Sequence, residues 1–236
     1  MSSVLVDTTP PVPGYAVDGS NLNENVLFSS ETATKSVSWD NFTDPDSGIQ
    51  HYVVSVYVND VKAKTFGPME NTLMTDHSVS MEHDDKVRFE VESFNKAGLS
   101  VAVSTDGFTI DHTPPNLVLI QDNMLGLKYQ TDDSNLNLRW QFEDNESGIK
   151  EYRYSVFELM HGMKKRVWPK TAMYLSISPS LTSQPTEIDF IEQLVSGATY
   201  SVHVTAINQA QLSTAHESNG VTIDPTPPIM FKVNLI

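Results

Sequence analysis

A five-residue motif recurs three times in this chain, and its spacing sets the size of the folding unit. Asp-Thr-Thr-Pro-Pro at residues 7–11 returns as Asp-His-Thr-Pro-Pro at residues 111–115 and as Asp-Pro-Thr-Pro-Pro at residues 224–228. Proline fixes its own backbone angle and lacks an N–H for a ladder, so we interpret each copy as a semi-rigid linker. The chain is therefore expected to be an array of similar domains.

A second motif repeats inside each unit. Trp39 precedes the acidic loop Asp-Pro-Asp-Ser-Gly-Ile at residues 44–49, and Trp140 precedes Asp-Asn-Glu-Ser-Gly-Ile at residues 144–149. Each loop is followed by a tyrosine three residues later. The two tryptophans are predicted to be core residues of their own domains.

A third match, between residues 87–115 and residues 200–228, runs without a gap, so the extra length of the second unit is placed before it. Three ordered matches over two units are very improbable by chance. The predicted domains cover residues 1–111 and 112–225, and residues 226–236 are assigned to the start of a following repeat or to a C-terminal extension.

Apolar residues alternate with polar ones in several short runs, which is the pattern of half-buried strands. Residues 136–140, 87–91 and 200–206 show it most clearly, and turn formers such as Asn59-Asp60 separate the runs. No long amphipathic helix is evident. Several short strands in a domain of this size predict an all-β sandwich.

The arrangement of a tryptophan on the second strand and a tyrosine on the third resembles that of the fibronectin type III family. The second unit also has the late element Leu-x-x-Gly-x-x-Tyr, as Leu194, Gly197 and Tyr200. The resemblance implies an all-β fold of two tandem seven-stranded immunoglobulin-like (fibronectin type III) β-sandwiches. It implies further that Tyr200 makes a tyrosine corner, its hydroxyl bonding to upstream backbone. The first unit departs from the pattern, because Val87 stands where Tyr200 does and Met81 where Leu194 does.

The Asp-x-Thr-Pro-Pro linker with its acidic loop resembles one subgroup of such repeats, found in tandem in large secreted or cell-surface animal proteins. It implies an extracellular or cell-surface location, with neighbouring repeats in the parent chain. Residues 1–4 show neither a charged nor an apolar signal region, so we expect no signal peptide in this stretch and a piece of a longer protein.

Composition narrows the possible functions. The net charge of −15 repels phosphate backbones, so no nucleic-acid partner is expected. No apolar run reaches the ~20 residues of a membrane span, so this segment is not expected to insert into a membrane. The absence of cysteine excludes a disulfide framework and a cysteine nucleophile. No nucleophile elbow, phosphate-binding glycine loop or zinc-protease helix motif is present, and we expect neither an enzyme nor a cofactor.

The acidic loops allow two explanations. Their carboxylates, together with those of the preceding linkers, are oxygen ligands of the kind that calcium prefers. Asp and Ser side chains in such loops also cap turns by accepting backbone N–H bonds, with no cation. The candidate ligands are Asp7, Asp44 and Asp46 in the first unit and Asp111, Asp144 and Glu146 at the second.

Two further features are candidates for modification and for binding. Asn41-Phe42-Thr43 and Asn145-Glu146-Ser147 are glycosylation sequons, with Asn41 and Asn145 as acceptors. A basic segment beside Met and Trp side chains, predicted to form a hairpin with Gly162 near its tip, is either a partner-binding surface or an edge protected by lysine. Its members are Lys164, Lys165, Arg166, Trp168 and Lys170.

These observations favour a non-catalytic structural and protein-binding module of an extracellular or cell-surface protein, with adhesion, matrix and receptor-ectodomain roles all possible. One alternative is an accessory β-sandwich pair attached to a secreted enzyme whose catalytic domain lies outside this chain. Another is an intracellular filament-type array or a microbial adhesin. The fold alone does not decide among them.

Overall fold

The computed structural model describes residues 6–123, 125–179 and 185–229. The chain forms two compact units, and the main boundary falls between Thr113 and Pro114. We call them unit 1 and unit 2. All regular structure in the described residues is β-strand, as the alternating sequence pattern predicts.

Unit 1 consists of two facing sheets. The smaller sheet is three-stranded, in the order β1-β3-β6. The larger has the order β2-β9-β7-β4-β5, with β8 also pairing with β7. The strands are β1 (Tyr15–Asp18), β2 (Phe28–Ser29), β3 (Lys35–Asp40), β4 (Ile49–Val58), β5 (Val61–Met69), β6 (Leu73–Asp76), β7 (Lys86–Asn95), β8 (Ser100–Ser104) and β9 (Phe108–Ile110).

Unit 2 repeats this topology. Its smaller sheet has the order β10-β12-β16, and its larger sheet has the order β11-β19-β17-β13-β14, with β15 pairing with β13 and β18 with β17. The strands are β10 (Asn116–Gln121), β11 (Tyr129–Gln130), β12 (Asn135–Glu143), β13 (Ile149–Met160), β14 (Met163–Trp168), β15 (Leu175–Ile177), β16 (Thr186–Ile191), β17 (Thr199–Asn208), β18 (Ser213–Glu217) and β19 (Val221–Ile223).

Each unit has its own core, centred on the predicted tryptophan. Trp39 and Trp140 are both 0% exposed, which confirms their assignment to the core. Trp39 packs edge-on against Tyr52 at 5.5 Å between ring centroids, and Trp140 lies 5.3 Å from Tyr154. Aromatic pairs at such distances add to the stabilisation that burial provides.

The first strand of each sandwich is divided between the two sheets. In unit 1 the chain pairs with β3 through β1 and then crosses to the larger sheet, where β2 runs parallel to β9. In unit 2 the chain pairs with β12 through β10 and then crosses to the larger sheet, where β11 runs parallel to β19. The opening and closing segments of each unit are thus joined by a short parallel ladder.

The additional residues of unit 2 lie between Tyr152 and Tyr200, as the gapless match predicts. They lengthen the hairpin, since Val156 faces Trp168 whereas Val56 of unit 1 faces Lys64. They also interrupt the strand, because β14 and β15 are separated where unit 1 has the continuous β5.

At one inward position the two units differ in chemistry. Unit 1 places Lys35 opposite Asp76, with 3.0 Å between Nζ and Oδ2 and side chains that are 0% and 3% exposed. Unit 2 places Leu136 opposite Phe190 at the corresponding point of its smaller sheet. Burial would raise the pKa of Asp76, but hydrogen bonds from Ser78 and the Lys35 ammonium outweigh it and hold the pKa well below its ordinary value. The Asp76 carboxyl is therefore ionised in the fold.

Candidate functional site

The acidic loop and the linker that precedes it meet in unit 1. The carboxylate of Asp7 accepts the Ser47 hydroxyl at 2.6 Å, and the Thr9 hydroxyl donates to Asp46 at 2.8 Å. The amide of Asn95 donates to both Asp7 and Asp44, at 2.9 and 3.0 Å. Linker and loop therefore lie together in unit 1, as predicted, and the buried side-chain amide of Asn95 links them.

Asp44 caps the loop. Its Oδ1 accepts the backbone N–H groups of Asp46, Ser47 and Gly48 at 3.1, 2.7 and 3.0 Å. The hydrogen bond from Asn95 and the backbone bond from Ser47 lower the pKa of Asp44 below its ordinary value. The loop is held closed by one carboxylate and needs no further ligand to satisfy its backbone.

Unit 2 repeats the capping. Asp144 Oδ1 accepts the N–H groups of Ser147 and Gly148 at 3.0 and 2.9 Å, and its Oδ2 accepts the Asn208 amide at 3.0 Å. Asn208 Oδ1 in turn accepts the N–H of Leu212 at 2.8 Å. Glu146 lies half-buried in the same loop.

The linker motif has a local structural reason in all three copies. The carboxylate of its Asp accepts the N–H and the hydroxyl of the Thr two residues later, as Asp111 does with Thr113 at 2.9 and 3.1 Å. Asp7 and Asp224 make the same two bonds to Thr9 and Thr226. The Asp-x-Thr spacing thus builds a turn, and the prolines continue it.

Asn95 and Asn208 are the functional residues of these loops that sequence reasoning left without a role. Both are 0% exposed. They matched each other in the repeat alignment, but nothing in a single Asn indicates that it bridges a linker and a loop. The available signal was an Asn at the end of a strand that ran otherwise in apolar alternation.

The calcium hypothesis remains a prediction. In the parts of the chain that the structure describes, no three His, Asp or Glu side chains form a group suited to a metal ion. Because Asp44 already accepts three N–H bonds, we expect millimolar calcium to leave the melting temperature of the protein unchanged. We expect Asp44→Asn to lower that temperature, since an amide accepts N–H bonds less strongly than a carboxylate. Calorimetry of the wild type and Asp44→Asn, with and without calcium, measures both effects. If calcium raised the melting temperature of the wild type but not that of Asp44→Asn, the loop would be a calcium site.

A buried carboxylate clasp joins the two ends of each unit, and the sequence analysis did not identify it. Asp18, 0% exposed, accepts the Thr105 hydroxyl and the Gly107 N–H, each at 2.8 Å. Asp122 of unit 2 accepts the Ser218 hydroxyl and the Gly220 N–H, the latter at 2.9 Å. Both glycines have a positive φ, so the turn offers its N–H to the carboxylate.

Burial raises the pKa of Asp18 to about 6 from 3.8, although the bonds from Thr105 and Gly107 oppose the change and Asp106 adds to it. Folded unit 1 therefore holds more protons than the unfolded chain between about pH 4 and pH 6. We expect the contribution of Asp18 to the stability of unit 1 to be fully present below about pH 4 and to be lost as the pH rises through about 6. The lowered pKa values of Asp7, Asp44 and Asp76 act in the opposite direction, because their contribution is lost as the pH falls below about 4.

This expectation is checked by urea unfolding between pH 4 and pH 7. A background carrying Trp140→Phe and Trp168→Phe leaves Trp39 as the only indole, so its fluorescence reports unit 1 alone. Asp18→Asn is expected to flatten the pH dependence of the midpoint, whatever its effect on absolute stability. An unchanged slope in Asp18→Asn would mean that other groups carry it.

The basic segment forms the predicted hairpin. β13 and β14 are joined by His161 and Gly162, whose φ values of 50° and 76° suit the tight two-residue turn. Lys164 Nζ lies 2.6 Å from Glu217 and 4.6 Å from the Phe157 ring centroid.

Lys170 pairs with Glu192 at 2.9 Å, and Arg166 donates to the Met173 carbonyl at 3.2 Å. Lys165 is exposed and has no hydrogen-bond or ion-pair partner among the described residues. Of the four cations, Lys165 and Arg166 thus have no carboxylate partner among the described residues, and the Lys165 side chain makes no hydrogen bond either.

Trp168 differs from the expectation of an exposed aromatic beside these cations. It is half-buried and packs edge-on against Phe190 at 6.0 Å between centroids. The reason is its register, since Trp168 faces Val156, an inward residue of β13. It belongs to the core of unit 2 and supports the hairpin from beneath.

A groove of about 340 Å³ opens beside this hairpin, within unit 2. Its floor contains Phe190, Leu194 and Tyr200, and the three cations Lys165, Arg166 and Lys170 also line it. The Tyr200 hydroxyl donates to Glu158 at 2.7 Å and accepts the Val195 N–H at 3.0 Å, which confirms the tyrosine corner. Burial, with the bond to Glu158, raises the pKa of Tyr200 to about 12, so the Tyr200 phenol stays neutral.

Both predicted glycosylation acceptors are accessible. Asn41 and Asn145 are exposed; Asn41 precedes the first acidic loop and Asn145 lies within the second. Asn41 has a φ of 64°. Thr43 is exposed, whereas Ser147 is buried.

No protein-family model matches the sequence, and no curated protein matches it. Solved structures do. Consecutive domains of titin superpose with a TM-score of 0.55 at 13% identity, over 91% of this chain and 67% of the other. The FN1–FN3 domains of chicken CNTN1 give 0.43 at 14% identity, over 90% and 68%. A bacterial ice-binding adhesin gives 0.42 at 14% identity, over 92% and 67%.

The titin match, with the sheet orders above, establishes the fold. The chain is all-β and consists of two tandem immunoglobulin-like, fibronectin type III-like β-sandwiches. The fold class predicted from the sequence is confirmed. The described residues contain no helix with the length and apolarity to cross a membrane.

Proposed function

We propose that this chain is a non-catalytic, protein-binding module of an extracellular or cell-surface multidomain protein, and that the β13–β14 hairpin is its contact surface. One observation carries the proposal: four cations of a chain with net charge −15 lie within seven positions, three of them on β14 and Lys170 just after it. A local charge opposite to that of the whole chain steers a partner toward one face.

The rigidity of the hairpin supports the same proposal. Trp168 anchors its base in the core, and the ladder with β13 fixes the backbone that carries Lys165 and Arg166. A backbone fixed in this way loses less conformational entropy when a partner binds. A basic surface that only kept the edge soluble would not require such fixing.

The test compares two hairpins of one chain. A multimerised chain is applied to cells before and after mild proteolysis of the cell surface. Protease-sensitive binding is expected, and Lys165→Glu/Arg166→Glu should weaken it by about tenfold or more. The matched control is Lys62→Glu/Lys64→Glu in β5, which makes the same charge change in unit 1.

Equal losses in both variants would show that net charge alone matters. Protease-resistant binding would point to a glycan or lipid partner, and absence of binding to a range of cell types would contradict the proposal.

The extracellular location leads to a prediction about glycans. When the chain is secreted from mammalian cells behind an added signal peptide, we expect Asn41 to be glycosylated, because both Asn41 and Thr43 are exposed. We expect lower occupancy at Asn145, because Ser147 is buried. Glycosidase-sensitive mobility of the wild type, Asn41→Gln and Asn145→Gln measures both sites. Occupancy at Asn145 alone would contradict the argument from exposure.

We propose in addition that residues 1–111 and 112–225 are the two domains and that residues 226–236 begin a further repeat. The third linker motif supports this, because Asp224 makes the same bonds to Thr226 that the earlier copies make. Residues 230–236 lie outside the described residues. Neighbouring repeats would then flank this pair in the parent chain, as the linker subgroup implies.

A further inference from the structure

The groove beside the basic hairpin has an open strand along its side. β14 ends the larger sheet of unit 2, so one edge of its backbone faces no strand among the described residues. An extended peptide can add to such an edge by main-chain hydrogen bonds, with alternate side chains entering pockets next to it. The groove is a pocket in that position.

The side chains of β14 divide between two faces. Glu158 faces Lys165 and Phe157 faces Arg166 in the ladder, and opposed residues of an antiparallel pair project to the same side. Glu158 bonds Tyr200 on the floor of the groove, so Lys165 stands on the groove side. A strand added beside β14 would therefore direct one set of its side chains over the groove and toward Lys165.

We infer that this groove binds an extended acidic peptide segment of a partner protein, which adds to β14 and inserts one apolar side chain. The inference rests on the proposed function and names the chemistry of its partner. A carboxylate of the segment meets Lys165, the cation without a partner in the described residues. The apolar side chain covers Phe190, Leu194 and the ring of Tyr200.

The charges around the groove favour a peptide over a sulfated polysaccharide. A polysaccharide presents many regularly spaced anions and needs a run of unpaired cations. Here Lys164 and Lys170 are already paired with Glu217 and Glu192. Glu158 and Glu192 also line the groove and would repel a dense polyanion. Of the four cations, only Lys165 and Arg166 lack a carboxylate partner among the described residues, which is too few cations for a regular polyanion but suits a peptide carboxylate next to an apolar residue.

The test uses the whole chain and a fluorescein-labelled short peptide, in which one central leucine is flanked by alternating threonine and glutamate. Fluorescence anisotropy is expected to show saturable binding. Replacing the leucine with serine, or methylating alternate backbone nitrogens, should abolish it. Lys165→Glu should weaken binding by about tenfold or more, while Lys150→Glu, an exposed lysine of β13 outside the groove, should not.

Gln193→Trp supplies a second variant, because this exposed residue lines the groove and an indole there would fill it without changing charge. It is expected to abolish peptide binding, with circular dichroism confirming the fold. Equal binding of the wild type and Gln193→Trp would overturn the inference. Binding of heparin with no binding of the peptide would also overturn it, in favour of a polysaccharide. If Gln193→Trp abolished peptide binding but left cell binding intact, the groove would not be the partner site, and the proposal that the hairpin contacts a cell-surface protein would still stand.

Discussion

Replacement of Trp140 by alanine is expected to destabilise unit 2 by about 3–5 kcal/mol and to leave unit 1 unchanged. The side chain is 0% exposed and packs against Tyr152 and Tyr154, at 6.0 and 5.3 Å between ring centroids. Its indole nitrogen has no hydrogen-bond partner among the described residues, so packing accounts for its contribution. Removing it opens a large cavity between the two sheets.

Urea unfolding followed by fluorescence in a Trp39→Phe background measures the effect, because the remaining indoles then report unit 2 alone and Trp168 is kept in Trp140→Ala. Trp140→Phe keeps an aromatic ring in place and should lose much less stability. Trp39→Ala is the mirror control, followed by calorimetry because unit 1 then has no indole, and it should shift only the transition of unit 1. If Trp140→Ala left the transition of unit 2 in place, the core assignment would be wrong.

Replacement of Lys35 by alanine is expected to destabilise unit 1 by about 3–5 kcal/mol. The change leaves the Asp76 carboxylate buried without its counter-ion and also removes the bond from Lys35 Nζ to the Val79 carbonyl, 2.6 Å long. An exposed ion pair contributes far less, so Lys62→Ala, which breaks the surface contact with Glu90, should have little effect.

A second variant replaces the ion pair of unit 1 with the apolar pair that unit 2 has at the corresponding position. Lys35→Leu/Asp76→Phe reproduces the Leu136–Phe190 pair of unit 2. Buried ion pairs are often replaced by apolar pairs at little cost, so the double variant should lose less stability than Lys35→Ala alone. Denaturation midpoints of the wild type, Lys35→Ala, Lys62→Ala and the double variant measure these differences in stability. A Lys35→Ala shift no larger than that of Lys62→Ala would show that the pair stays hydrated.

The parts of the fold that were predictable from the sequence are those with a periodic or repeated signature. Alternation identified the strands at residues 136–140, 87–91 and 200–206, and the resemblance carried by Leu194, Gly197 and Tyr200 implied the tyrosine corner. The hairpin followed from a turn-forming glycine at residue 162 between two apolar–polar runs. In each case neighbouring residues in the chain determine the structure, so a local pattern is sufficient.

The clasp and the buried ion pair depend on contacts between distant residues, and they left no such pattern. Asp18 in isolation is one acidic residue near a turn, and its bonds reach Thr105 and Gly107 at the far end of the unit. Lys35 gave a weak signal, since it shares the inward alternation of Val37 and Trp39. A charged residue at an inward position implies a buried partner, but the sequence does not indicate which residue it is.

The parallel ladder between the first and last strands of each unit determines how that unit responds to a mechanical load. In unit 1 the bonds from Thr109 N–H to the Leu27 carbonyl and from Asp111 N–H to the Ser29 carbonyl are 3.0 and 2.9 Å long. Because β2 and β9 run in the same direction, a pull on the two ends slides one strand along the other. These bonds are then strained together in shear and do not open one at a time. We therefore expect each unit to resist tension applied through its two ends at this ladder, with its hydrogen bonds loaded together.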